Sequence, residues 1–182
     1  MVSEKILKFI GTILILSLVA SCDRAADVSI PVSYNKKGVN FSYPSNWKIT
    51  EDDEQNDIRY VLLESPGNAI FIIQVYLSED AVSIREYAEW FSEEAIKETP
   101  IFERTEGSFT KVKAIVDGKE VPGLRQDFSI NVFSLPVPHV SEYYRIEKGN
   151  KVAFLISQAA EDDLKYEAEG FELLIKSFQI KI

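Results

Sequence analysis

The sequence predicts an α+β domain: a central, mostly antiparallel sheet flanked by helices. Three observations predict it. The hydrophobic periods run strands, helix, several strands, helix. Hairpin turn signals such as Asp117-Gly118 and Gly149-Asn150 dominate over crossovers, so neighbouring strands run antiparallel. Two apolar stripes of helical spacing, within residues 83–99 and 162–178, are available to cover the sheet.

The chain opens with a segment that does not belong to the domain. Lys5 and Lys8 precede an apolar run over residues 9–20, the layout of a secretory signal. The run is short for a spanning helix, which needs roughly 20 apolar residues. It closes on Val19-Ala20-Ser21-Cys22: an aliphatic residue, two small ones, then the only cysteine of the chain. That is the form of a bacterial lipobox, and it predicts cleavage before Cys22 and acylation of its sulfur. Residues 1–21 are thus read as signal, 22–37 as a polar tether, and 38–182 as a single domain.

Residues 39–43 alternate apolar and polar as a half-buried strand does. Pro44-Ser45-Asn46 makes a turn, extended chain resumes at Trp47, and residues 51–57 read as an acidic loop. Residues 58–64 and 69–77 form a hairpin around Pro66-Gly67, where proline presets φ and glycine permits a positive φ. Ile70-Phe71-Ile72-Ile73 is apolar at consecutive positions, which predicts a strand covered on both faces. In the first helix Ser83 and Glu86 form a capping box, Ile84, Tyr87, Ala88, Phe91 and Ala95 share one face, and Pro100 ends it. Residues 102–133 read as antiparallel strands, with Val112, Ala114 and Val116 facing one way and Lys111 and Lys113 the other. Residues 141–147 and 151–157 form another hairpin, its second strand continuously apolar. Asp162 or Asp163 is the expected cap of the last helix, whose buried stripe is Leu164, Ala168, Phe171, Leu174, Ile175 and Phe178. Gly170 weakens that helix slightly.

Asn40-Phe41-Ser42-Tyr43-Pro44-Ser45-Asn46-Trp47-Lys48 resembles the opening of PsbP-like domains. The ending is similar too, where Tyr143-Tyr144-Arg145-Ile146 leads through Gly149-Asn150 to Val152-Ala153-Phe154-Leu155 and the terminal helix. The resemblance covers nearly all of residues 39–178, and the lipobox brings it closest to DcrB-like bacterial lipoproteins. It implies an α-β-α sandwich and a role in binding other proteins rather than in catalysis. The family shares no catalytic residue set to carry over.

Composition limits the partners. The net charge of −9 excludes nucleic acid or anionic headgroups held by bulk charge. With Cys22 acylated, no thiol remains for a disulfide or a thiolate metal site. His139, the only histidine, stands in an apparent loop, and the chain has no nucleophile-elbow, phosphate-loop or zinc-protease motif. Glu51, Asp52, Asp53 and Glu54 are consecutive, so their side chains diverge where a calcium loop needs alternate ligands and a central glycine. No cofactor, metal or catalytic residue is expected. Trp47 and Trp90 read as core or boundary packing.

One segment points to a partner. Leu135-Pro136-Val137-Pro138 is apolar where a polar turn is usual, and its prolines stiffen it and remove ladder donors. It is the expected docking edge, unless it folds over the core or covers a sheet edge. The expected function is a lipid-anchored, non-enzymatic envelope protein that binds a partner. Asp23, directly after Cys22, favours the periplasmic face of the inner membrane over the outer membrane. The alternatives are a small-ligand binder with a pocket between sheet and helix, and a carboxylate-dependent hydrolase.

Overall fold

The computed structural model describes residues 25–98, 104–105, 107–132 and 135–181. The elements in order are β1 (Val32–Lys36), β2 (Val39–Tyr43), β3 (Lys48–Gln55), β4 (Ile58–Glu64), β5 (Ile70–Leu77), α1 (Ile84–Glu98), β6 (Arg104–Thr105), β7 (Phe109–Val116), β8 (Lys119–Val132), β9 (Leu135–Lys148), β10 (Lys151–Ala160), α2 (Leu164–Ser177) and β11 (Gln179–Ile180). Every strand pair described is antiparallel. The large sheet runs β3-β4-β5-β10-β9-β8, and β7 and β6 pair successive stretches of the far edge of β8. A small sheet, β1-β2-β11, stands beside it.

Period-two alternation sorts the large sheet into two apolar faces. Leu62, Ile72, Phe154, Ile156 and Tyr143 pack with Tyr87, Ala88 and Phe91 of α1. Val61, Leu63, Phe71, Ile73, Ala153 and Leu155 pack with Phe171, Leu174, Ile175 and Phe178, and with the small sheet. A helix on each face gives the α+β sandwich the sequence predicts. The consecutive apolar runs of β5 and β10 are buried because both of their faces are covered.

The hairpins follow the turn chemistry. Lys37-Gly38, Asn56-Asp57 and Asp117-Gly118 each place both central residues at positive φ, the geometry that matches strand twist in a two-residue turn. The β4–β5 turn departs from expectation. Asn68, at φ 65°, takes the left-handed position, and Gly67 does not. Gly67 is there for space, since a Cβ would run into Glu167. The capping box of α1 forms as expected: Ser83 N–H donates to Glu86 Oε2 at 3.0 Å and Glu86 N–H to Ser83 Oγ at 3.3 Å.

Three further expectations are corrected. Residues 25–37 are not a tether. Ala26 and Tyr34 are buried, and β1 pairs β2 along its whole length. The acidic stretch is not a loop through residue 57 but the edge strand β3, which continues to Gln55. An edge strand has one ladder to satisfy, and charge on it guards against pairing with other chains. Asp162 and Asp163 do not cap α2 through their side chains. Glu161–Asp163 form a 3-10 turn, and their carboxylates lie beside the helix N-terminus, where its dipole favours them.

Candidate functional site

The structure opens a groove of about 590 Å³ between α2 and strands β7 to β10. Its origin can be read from register. On the α2 face Arg125 of β8 stands opposite Glu142 of β9, which stands opposite Ser157 of β10. This row is polar at its β8 end, whereas on β5 and β4 it continues as Phe71 and Leu63. The helix covers the apolar end and leaves the polar end open.

The walls and floor differ in chemistry. Leu164, Ala168, Phe171 and Ile175 of α2 form an apolar wall, with Val140 and Tyr144 on the floor. Gly123 stands opposite Tyr144 in the ladder, and a Cβ there would sit 2.5 Å from the tyrosine ring. The glycine therefore lets the aromatic ring lie flat across β8. The Tyr144 hydroxyl donates to Glu142 Oε2 at 2.6 Å, and burial together with that carboxylate pushes its pKa up. Arg125 is held by Asp127, through Nη2 at 2.8 Å and Nε at 3.0 Å, and lies 4.0 Å from Glu142. The open side carries Lys113 paired with Glu120 at 2.7 Å and Lys176 paired with Glu172.

This arrangement suits binding. The groove joins an apolar wall to one guanidinium and one carboxylate on its floor. Its remaining acids are neutralised by lysines, and neither floor hydroxyl, of Tyr144 or Ser157, has a histidine beside it. Among the described residues no group of three or more histidines, cysteines or carboxylates stands at metal-binding distance.

The candidates drawn from the sequence fall elsewhere. Cys22 lies outside the described residues. Leu135, Pro136, Val137 and Pro138 are not a loop but the first residues of β9, paired with Val132, Asn131, Ile130 and Ser129 of β8. Leu135 is 69% exposed, and none of the four lines the groove. His139 follows in the same strand. Its Nδ1 is 2.8 Å from the Val137 carbonyl, its ring stacks on Phe128, and burial lowers its pKa. Of the acidic run, Asp52 is engaged by Arg59, Lys36 and Tyr34, Glu54 by Lys37, and Asp53 by the Glu54 amide and Gln55. Glu51, between Glu64 and Asp53, is raised to about 7 by burial and by both carboxylates. Trp47 is buried edge-on to Phe171 and Trp90 lies against Tyr87, both in packing roles as read from the sequence.

Sequence reading missed the groove residues. Arg125, Glu142 and Tyr144 look like ordinary strand residues, and only the register brings them together. The one local signal was Gly123 inside a strand, which marks a close approach.

No known family model matches the chain, and no curated protein sequence matches it. Solved structures do. The chain is similar to the solution structure of cyanobacterial PsbP (CyanoP) from Synechocystis sp. PCC 6803, with a TM-score of 0.52 and 12% identity over 91% of this chain and 98% of that one. It is also similar to a crystal structure from Bacteroides thetaiotaomicron VPI-5482, with a TM-score of 0.51 and 15% identity, covering 87% of this chain and 49% of that one. A weaker likeness, with a TM-score of 0.43 and 12% identity, is to LpqN of Mycobacterium tuberculosis, covering 84% of this chain and 90% of that one. At these identities the likeness is one of architecture, and the architecture is PsbP-like.

Proposed function

We propose that the chain is a lipid-anchored, non-enzymatic accessory protein of the bacterial envelope, akin to the DcrB-like lipoproteins, which binds a segment of a partner protein in the groove beside α2. The groove carries this reading. Its apolar wall and its adjacent Arg125 and Glu142 offer side-chain burial and polar contacts of both signs within one surface. Its rim residues Ile115, Ala168 and Glu172 are exposed, so a segment can reach it from solvent. Acylation of Cys22 supplies the anchor. Each buried methylene contributes about 0.8 kcal/mol, and two or more chains hold stably. Asp23 supports retention on the inner membrane. Among the described residues no helix is long and apolar enough to cross a membrane.

The second reading is a small amphipathic ligand, favoured by the groove volume, which falls within the roughly 300–1,000 Å³ of ligand sites. One experiment separates the two. A photo-crosslinking residue is placed in cells at Ile115, on the groove, or at Val82, an exposed position outside it. The protein-binding reading expects a discrete adduct at 115, none at 82, and its loss when Ala168→Arg fills the wall. No adduct at 115 from abundant folded protein, together with a small molecule in the native mass spectrum that Ala168→Arg displaces, selects the ligand reading.

A further inference from the structure

We infer that the domain is held on the bilayer in one orientation, with the Tyr166 flank of α2 and Ile30 toward the headgroups and the groove turned away from them. The inference rests on the acylation of Cys22 proposed above and adds to it a geometry.

The leash is short because the chain is clamped almost as soon as it leaves the cysteine. Ala26 N–H donates to the Tyr166 carbonyl on α2 at 2.9 Å. Asn46 Nδ2 donates to the Ala25 carbonyl at 2.8 Å, and Asn46 Oδ1 accepts from Asp27 N–H at 2.9 Å. Ser45 closes the clamp, its N–H donating to the Asp27 carbonyl at 3.0 Å and its hydroxyl to the Asp27 carboxylate at 2.6 Å. Ala26 itself is buried against the Gly170 turn of α2. Cys22 precedes Ala26 by four residues, so its α-carbon lies within about 14 Å of this clamp even at full extension. A tether through residue 37 would give the domain a longer reach from its anchor than one that ends at the Ala25–Asp27 clamp.

The surface around the clamp has the chemistry of a headgroup contact. Ile30, 76% exposed, follows Ala26 by four residues and so also lies within about 14 Å of it. Exposed Pro31 follows. Tyr166 is 37% exposed, and the Lys165 ammonium lies 4.9 Å from its ring centre. Tyrosine and lysine are interfacial residues, one through its amphipathic ring and the other through a long apolar stem. With Asp162 and Glu169 exposed beside them, the contact is one of apolar and aromatic groups rather than of charge. Asp27, the acid nearest the clamp, has its carboxylate taken up by Ser29 and Ser45.

Helical geometry then fixes where the groove faces. At 3.6 residues per turn, Tyr166 and Gly170 lie roughly 150° around α2 from Leu164, Ala168, Phe171 and Ile175. The attachment occupies one flank of the helix and the groove the other, so a partner reaches the groove from the aqueous side.

The test uses the full-length lipoprotein, its acyl mass verified, in vesicles of phosphatidylethanolamine and phosphatidylglycerol carrying a headgroup nitroxide. A fluorophore is attached at Ile30→Cys, Tyr166→Cys or Ile115→Cys, all exposed positions. Quenching at 30 and 166 is expected to exceed that at 115 several-fold. Equal quenching at the three sites, or strongest quenching at 115, on acylated protein overturns the orientation and leaves the anchor standing. Absence of the acyl mass overturns the anchor, and the orientation with it.

Discussion

The hydroxyl of Ser65 donates to Oε1 of Glu167 at 2.8 Å across 102 residues of sequence, fastening α2 to the β4–β5 turn. The same Ser65 Oγ accepts from the amides of Gly67 and Ala69, each at 3.0 Å. Glu167 is completely buried, and among the described residues its other oxygen has no partner. Burial, and secondarily Asp163, raise its pKa to about 7 against the smaller opposing effect of Ser65. Between about 4.5 and 7 the folded state keeps a proton that the unfolded chain has released. Its contribution to stability is therefore full at low pH and declines as pH rises through that window. Glu167→Gln preserves the acceptor without the charge. Denaturant melts should show the variant equal to wild type near pH 4.5 and more stable above pH 7, by on the order of 1–3 kcal/mol. Glu51, also raised to about 7, leaves a residual slope of the same sign in both proteins. A wild-type-to-variant difference that is flat across this window would mean Glu167 is ionised throughout.

Gly170 is expected to resist replacement despite its place inside a helix. By propensity alone alanine there should stabilise by about 1 kcal/mol. The structure reverses the sign. A Cβ would meet Trp47 Cζ2 at 2.7 Å, the Ala26 methyl at 2.9 Å and Pro44 Cγ at 3.0 Å. Overpacking of this kind costs about 1–3 kcal/mol. Gly170→Ala should lower Tm and speed amide exchange at Ala26 and Trp47 more than at the distant Ile156. A variant with raised Tm would show that Trp47 and the N-terminal clamp can shift without loss.

Arg59 joins the two sheets. It is buried on β4 and donates to Asp52, to the Tyr34 hydroxyl and to the carbonyls of Asp53 and Tyr60. Tyr34, on β1, stacks on Phe41 with ring centres 4.6 Å apart. Arg59→Ala should cost about 2–4 kcal/mol in urea, because it empties buried volume and removes the guanidinium's hydrogen bonds to Asp52, the Tyr34 hydroxyl and two backbone carbonyls, although Lys36 and Tyr34 still hold Asp52. Arg59→Met should recover part of that loss by refilling the volume. A cost below about 1 kcal/mol for the alanine variant would mean the small sheet stays docked through its apolar contacts alone.

Legibility in the sequence followed the range of the interaction. The capping box, the Asp117-Gly118 turn and the double-faced strands β5 and β10 were visible because each is encoded within a few residues. β1 was not, because its only buried residue is Tyr34, with exposed neighbours on both sides, so it shows no alternation. β3 was obscured by its charge, since an edge strand can be acidic on both faces and still keep its one ladder. The groove was out of reach for a third reason. Arg125, Glu142 and Ser157 share a row only through two registers, and one of these, β8 on β9, is set by a hairpin whose turn sequence carries no clear signal. Gly170 was read as a weak point, since the residues that need its missing side chain are more than a hundred positions away.

The outer edge of β9 offers the last test. From His139 onward β9 pairs β10, but residues 135–138 extend past the final partner, Ala160. There β9 has β8 on one side and, among the described residues, no strand on the other. Pro136 stands opposite Asn131 and Pro138 opposite Ser129. Proline cannot donate, so these two occupy the positions whose amides would point away from β8, and residues 135, 137 and 139 supply the ladder. The open edge therefore presents ring methylenes where an incoming strand needs donors. This argues against docking by strand addition at the segment that drew attention in the sequence, and for the prolines as a guard on the edge. Pro136→Val combined with Pro138→Val restores both donors and adds β-branched side chains suited to a strand. Sedimentation velocity should show concentration-dependent self-association of the double variant, with the far-UV spectrum unchanged and each single variant intermediate. A double variant that stays monomeric at every concentration would show that exposed Leu135 and the local twist, not the missing donors, keep the edge closed.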